Sequence, residues 1–151
     1  MERQFSESIA KLITRDLDKL EVEIKLFPNE DSLWKVKGDI KNPAGNLCLH
    51  LCGNLQHYIG RVLGGSGYVR DRDNEFSAKN ISRSRLLEEI QETRQTVVTA
   101  LKALNPDLLL KEYPENVFDD SMTTMHFLIH LEAHLGYHLG QVNYHRRLSG
   151  E

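Results

Sequence analysis

The histidine-rich stretch at residues 126–145 reads HFLIHLEAHLGYHLGQVNYH and carries four histidines at four-residue intervals, from His126 to His138. Because an α-helix advances about 100° per residue, a spacing of four residues turns by about 40° per step, so the four histidines cannot share one direction. With His134 as zero, one arc from about 20° to about 140° contains the apolar residues Phe127, Leu131, Val142, Leu135, Leu128 and Leu139. His138 lies inside this arc and His134 at its border. The periodicity therefore predicts that His134 and His138 point inward, whereas His126 and His130 lie further out.

Three more stretches of the chain have helical periodicity, and the four prolines at positions 28, 43, 106 and 114 all fall between periodic segments. Helices are predicted over residues 3–27, 43–63, 82–104 and 121–148, the last beginning near Asp119, Asp120 and Ser121. Strand patterns are limited to residues 33–36 and 108–113, which allow at most a small hairpin between helices. We therefore predict an all-α four-helix bundle with irregular loops, in a single domain over residues 1–151.

Composition narrows the range of partners. The chain has 19 Lys and Arg against 22 Asp and Glu, a net charge of -3, and such a mildly acidic protein is not suited to coating nucleic acid. No apolar run approaches the roughly 20 residues of a membrane helix, and the N-terminus lacks an apolar signal core. We expect a cytoplasmic protein with neither nucleic-acid nor membrane partners. Cys48 and Cys52 cannot form a disulfide framework, so we interpret them as small core hydrophobes.

His134 and His138 are spaced so that both imidazoles could reach one metal ion, because residues four apart lie one helical turn apart. The alternative is a pair of core or boundary histidines, each satisfied by a hydrogen bond. A third ligand would favour the metal site, and the candidate is His50, within LCLHLCGNLQ at residues 47–56. Periodicity alone places His50 about 60° outside the buried arc of its helix, as a surface or cleft residue. Cys48 and Cys52 point to the opposite side of that helix from His50, so they cannot share a metal ion with His50.

Taken in order, HLCGNL at residues 50–55 and HLGYHLGQ at residues 134–141 resemble the DinB/YfiT-like superfamily of small bacterial metal-binding four-helix bundles. NPAGNLCLHLCGNL at residues 42–55 and RDRDNEF at residues 70–76 are similar to one uncharacterised subgroup of it. The resemblance covers nearly the whole chain. It implies that His50, His134 and His138 bind one divalent metal ion and leave coordination positions open. Such a set of neutral imidazoles suits zinc or nickel first, then iron or copper, rather than magnesium or calcium.

The resemblance also bears on activity, since the superfamily includes thiol-dependent S-transferases, isomerases and proteins described as metal-dependent hydrolases. It implies a metal-dependent transferase or hydrolase acting on a small-molecule substrate, with a low-molecular-weight thiol as a candidate co-substrate. The pattern identifies no catalytic residue. The alternative function is that of a non-catalytic helical bundle, in which the histidines are structural and the protein acts by binding a partner.

Two amides follow the predicted ligands at helical spacing. Asn54 lies four residues after His50, and Gln141 lies three residues after His138. Both are predicted to support a ligand or to line the pocket, although a structural amide that holds a neighbouring helix fits Gln141 equally well. Glu132 falls near 160°, at the far edge of the apolar arc from His134, and is a poor general base for a metal there.

The charged run at residues 70–75 has two interpretations. It is either a solvated loop or a segment over the open metal positions, with Arg70 or Arg72 binding an anionic substrate.

Gly136 and Gly140 lie away from the apolar arc of the last helix. Small residues there permit close approach of another helix. Together with the tendency of the superfamily to dimerise, they lead us to expect a homodimer.

Overall fold

Helices account for all of the regular structure in residues 1–150, the part of the chain that the computed structural model describes. In chain order they are α1 (Glu2–Leu26), α2 (Ala44–Leu55), α3 (Arg72–Ser77), α4 (Arg83–Ala103) and α5 (Thr124–Leu148). A π-helical segment, Gln56–Arg61, continues α2 directly, and short 3-10 turns lie at Asp31–Trp34 and Pro106–Leu108. Residues 1–150 contain no strand, so the prediction of an all-α fold is confirmed.

The four long helices form the predicted bundle, because α1 and α2 each pack against both α4 and α5. The buried stripe of α1 consists of Ile9, Ile13, Leu17, Leu20 and Ile24. The core residues of α5 are Phe127, Leu128, Leu131, Leu135 and Val142. They belong to the arc that the sequence predicted, although Leu139 at its edge is only half-buried. Cys48 and Cys52 are buried with free thiols, as predicted.

The segment before α5 differs from the prediction. The helix begins at Thr124 rather than near Asp119, and the side chain of Thr123 caps it by accepting a hydrogen bond from the backbone N–H of His126 at 3.1 Å. Tertiary contacts keep the preceding residues out of the helix, since the Tyr113 N–H donates to the Met122 carbonyl at 2.9 Å. The small hairpin does not form in residues 1–150. Only an isolated antiparallel bridge, between Glu112 and Thr123, occurs there.

Helix α3 was not predicted, and it packs across α2. Asn46, which is fully buried on α2, donates hydrogen bonds to the carbonyls of Glu75 at 3.0 Å and Ala78 at 2.8 Å. Its own side-chain oxygen accepts from the Lys79 ammonium at 3.1 Å. These contacts hold the end of α3 over the face of α2 that carries His50, so this face is covered rather than exposed.

None of the helices in residues 1–150 combines the length and the apolar character that a membrane span requires.

We expect Asn46→Ala to lower the free energy of unfolding by about 1–3 kcal/mol, because the buried carbonyl of Glu75 and the half-buried carbonyl of Ala78 would lose their donor. Urea denaturation followed by circular dichroism measures the change. Asn42→Ala, at an exposed position just before α2, is the matched control and should leave the stability within about 0.5 kcal/mol of the wild type. Equal stability of the two variants would contradict the role given to Asn46.

Candidate metal centre

The structure brings the three predicted histidines together. His50 comes from α2, and His134 and His138 come from successive turns of α5. One nitrogen of each ring can be chosen so that all three lie within 4.8 Å of one another. The ring centroids are 4.6 Å apart for His134 and His138, 5.0 Å for His50 and His134, and 5.4 Å for His50 and His138. This group could hold a metal ion.

The surroundings of each ring indicate which nitrogen faces the centre. Nδ1 of His138 lies 2.7 Å from Oε1 of Gln141, so Nε2 is left for a ligand. Nδ1 of His50 lies 3.1 Å from Oε1 of Glu75, and its Nε2 lies 3.1 Å from Nε2 of His134. Nδ1 of His134 is buried without a hydrogen-bond partner in residues 1–150. Gln141 therefore contacts His138, and its role in supporting a ligand stays a prediction.

Glu75 was not predicted to belong to the site. Its buried carboxylate contacts His50 and also accepts two hydrogen bonds from Arg70, from Nε at 2.9 Å and from Nη2 at 3.0 Å. Burial alone would raise the pKa of Glu75, but the hydrogen bonds from His50 and Arg70 outweigh it and lower the pKa. Glu75 is therefore an ionised carboxylate one layer behind the histidines.

Two further residues allow this contact, and neither was predicted to belong to the site, although Gly53, like Gly136 and Gly140, lies away from the apolar arc of its helix. Gly53 leaves space for Glu75, because a Cβ atom at position 53 would lie 1.9 Å from Oε2 of Glu75. Phe76 covers the other side, with its ring centroid 4.7 Å from that of His50. His50 is consequently only 6% exposed. Of the two positions that periodicity alone allowed, surface or cleft, it has the second, because it borders a cleft.

A cleft of about 280 Å³ lies beside the histidines. Its apolar walls are formed by Tyr58, Val117, Phe118, Phe127 and Leu131. Its polar lining consists of Asn54, Arg70, Arg72 and His130, next to His50 and His134. The predicted pocket residues Asn54, Arg70 and Arg72 therefore all line one cleft.

The two arginines of the cleft have different surroundings. The guanidinium of Arg70 is bound to Glu75 and lies 5.6 Å from the centroid of the Tyr58 ring. Arg72 is exposed, and its guanidinium lies 5.2 Å from the centroid of the Phe76 ring. Contact of either one with an anionic substrate stays a prediction.

Burial keeps the inward histidines neutral. It lowers the pKa of His134 to about 4, with a further contribution from the neighbouring His138 and His50. Burial also lowers the pKa of His138, although the hydrogen bond with Gln141 acts in the opposite direction. Neutral imidazoles have a free lone pair, which is the state that binds a transition metal.

The other candidates on α5 lie away from this group. Burial, with the hydrogen bond to Asp16 of α1, raises the pKa of Glu132 to about 8. Glu132 is therefore occupied at the α1 interface, consistent with its exclusion as a base. His145 is buried against Phe27, with ring centroids 5.7 Å apart. His130 stacks on Phe127 and lines the cleft, but it is not in the three-histidine group.

A family model described as "Protein of unknown function (DUF1572)" matches residues 2–150 of the chain. The chain has no significant similarity to any curated protein or to any solved structure.

The lowered pKa of His134 predicts how stability depends on pH. In the unfolded chain His134 takes up a proton near pH 6.5, whereas the folded protein keeps it neutral down to about pH 4. Its contribution is therefore complete above about pH 6.5 and is lost as the pH falls toward about 4. We expect the free energy of unfolding of the metal-free protein to decrease over this range in urea titrations.

His134→Leu should make that decrease smaller, because the residue that titrates is gone. His126→Leu, which removes an exposed histidine of the same helix, should leave the decrease as it is in the wild type. The same pH dependence in His134→Leu and wild type would contradict the assignment.

Proposed function

The chain belongs to the family described as a protein of unknown function (DUF1572), and we propose that it is a divalent-metal-binding protein. In this proposal His50, His134 and His138 bind one transition-metal ion through their Nε2 atoms. The observation that carries it is the convergence of three ligand nitrogens within 4.8 Å of one another. Core histidines that merely fill polar positions have no need to meet at one point.

The proposal includes membership of the DinB/YfiT-like superfamily. Its support is the order of the motifs along the chain, with HLCGNL on α2 and HLGYHLGQ on α5, in a bundle of four long helices. From the known members of that superfamily we also infer the type of activity, that of a metal-dependent transferase or hydrolase.

The donor set fits zinc or nickel, with iron and copper as further candidates. Neutral imidazoles are typical ligands of these metals, whereas magnesium and calcium prefer carboxylate and carbonyl oxygens. A bound ion of this kind would act as a Lewis acid and lower the pKa of a water or a thiol that joins it. The protein supplies three ligands, so positions remain for a substrate and a thiol co-substrate.

The cleft defines how a small molecule would bind. Its aromatic and aliphatic walls would exclude water from the apolar part of a substrate, and the ring of His130 extends the wall formed by Phe127. Asn54 is 8% exposed and its side-chain oxygen is buried without a hydrogen-bond partner. Within residues 1–150 this amide therefore has an acceptor that no other side chain or backbone group uses.

Metal analysis tests the proposal. Protein purified without a histidine tag is expected to contain about one equivalent of a transition metal. His50→Ala and His138→Ala should each lose the metal while circular dichroism shows unchanged helix content. His126→Ala, outside the group, is the matched control and should retain it.

Two outcomes would contradict parts of this proposal. Loss of helix content together with the metal would favour the alternative, a structural site in a bundle that acts by binding a partner. Absence of any metal, both as purified and after incubation with zinc and nickel salts, would overturn the metal-binding proposal itself.

We also propose that the protein is a homodimer that associates through the outer face of α5. Ile129, Tyr137 and Tyr144 are 50%, 67% and 65% exposed, and Gly136 and Gly140 lie between them on the same helix. Both glycines line a groove of about 950 Å³ between α1 and α5. In a two-fold arrangement the tyrosines of one copy would pack into the groove of the other.

Light scattering after gel filtration measures the mass. We expect twice the chain mass for the wild type and the mass of one chain for Tyr137→Lys/Tyr144→Lys. Leu110→Lys, which adds a charge at an equally exposed apolar residue outside α5, should remain dimeric. A monomeric wild type would contradict the proposal.

A further inference from the structure

Glu75 joins His50 and Arg70, two side chains that form no hydrogen bond with each other within residues 1–150. Its Oε2 accepts from Nε of Arg70, and its Oε1 accepts from Nη2 of Arg70 and also lies 3.1 Å from Nδ1 of His50. A carboxylate that receives a two-pronged contact from a guanidinium is ionised and has no proton to donate. The proton between Glu75 and His50 therefore belongs to Nδ1 of His50.

This assignment also determines whether the other ring nitrogen of His50, Nε2, carries a proton. A neutral imidazole with its proton on Nδ1 has a free lone pair on Nε2. That Nε2 is the atom 3.1 Å from Nε2 of His134, at the point where the three rings converge. Glu75 thus selects the form of His50 that presents a lone pair to the centre.

We propose that Glu75 is the positioning residue of the metal centre, which fixes both the tautomer and the orientation of His50. This inference rests on the proposed function, because it takes His50 to be a ligand. Gln141 provides the equivalent contact for His138, from the same helix and at 2.7 Å. Glu75 comes instead from a separate short helix, so α3 and the loop with Arg70 become part of the centre.

The close packing around the Glu75 carboxylate indicates that it does more than form a salt bridge with Arg70. Arg70 alone could meet a glutamate at many places along the loop. Here the carboxylate is pressed onto α2 at Gly53, where even a methyl group would lie 1.9 Å from Oε2. The absence of a side chain at position 53 is what lets the carboxylate reach His50.

Glu75→Gln is the direct test, with zinc alone as the probe and affinity measured by competition with a chromophoric chelator. Removal of a carboxylate that orients a histidine ligand typically weakens metal binding by about 10-fold to 100-fold, and we expect a loss in this range. Glu115→Gln is the matched control. Glu115 lies 3.1 Å from Nε2 of His57 in a second histidine–glutamate pair outside the three-histidine group, and its removal should leave the affinity unchanged.

Gly53→Ala tests the same contact without removing a charge, since Glu75→Gln leaves Arg70 without its partner and could unfold the protein. Alanine favours a helix more than glycine does, so α2 should persist while the carboxylate is displaced. We expect the zinc affinity to fall as it does in Glu75→Gln. Unchanged circular dichroism shows that the loss is local.

Nuclear magnetic resonance of the ¹⁵N-labelled, metal-free protein reads the tautomer directly. The His50 ring should carry its proton on Nδ1 in the wild type and lose this preference in Gly53→Ala. A proton on Nε2 of His50 in the wild type would overturn the inference, as would wild-type zinc affinity in both Glu75→Gln and Gly53→Ala.

These outcomes separate the inference from the function on which it rests. If the wild type binds zinc, His50→Ala does not, and Glu75→Gln binds as tightly as the wild type, then the role of Glu75 is wrong and the metal site stands. If the wild type binds no zinc, the proposed function fails and this inference fails with it.

Discussion

The hydrogen bond between Nδ1 of His50 and the Glu75 carboxylate is the interaction on which the organisation of the site depends. An imidazole has polar atoms on opposite edges, and burial without a partner at either edge costs free energy. Nε2 of His50 faces the other two histidines, so its Nδ1 needs an acceptor from outside α2. Glu75 provides it, and a buried carboxylate in turn needs a cation, which is Arg70. Glu75 of α3 and Arg70 of the loop before it therefore satisfy the buried ring of His50.

Much of the fold could be predicted because its information is local. A helix that packs on one side repeats apolar residues at three- and four-residue intervals, and α1, α4 and α5 do so. The start of α5 could not be predicted in this way. The acidic residues near Asp119 resemble a helix start, but the N–H of Tyr113 binds the Met122 carbonyl and keeps the chain out of the helix until Thr123 caps it. A contact between distant segments overrides the local preference there.

The residues of the site also differ in whether local sequence pattern could predict them. His134 and His138 lie on one regular helix, so their direction follows from angles alone. His50 required the resemblance to a known superfamily, because its cover comes from α3, which has no periodicity of its own. Glu75 lies 25 residues beyond His50, inside a charged run that also fits a solvated loop. The π-helical segment Gln56–Arg61 adds a second obstacle, since it changes the turn per residue and the angular pattern of α2 no longer applies after it.

The charge of the site explains why a carboxylate in this position suits a metal centre. Burial lowers the pKa values of His134 and His138, so these two rings need not lose a positive charge when a cation arrives. The pair of Glu75 and Arg70 has no net charge, so the carboxylate is neutralised without an ion. The contact of Glu75 Oε1 with Nδ1 would still polarise the His50 ring and make its Nε2 more basic as a metal ligand. In the proposed metal centre Glu75 would act from behind His50, so its charge would strengthen the centre without using a coordination position and would leave the side that faces the cleft open.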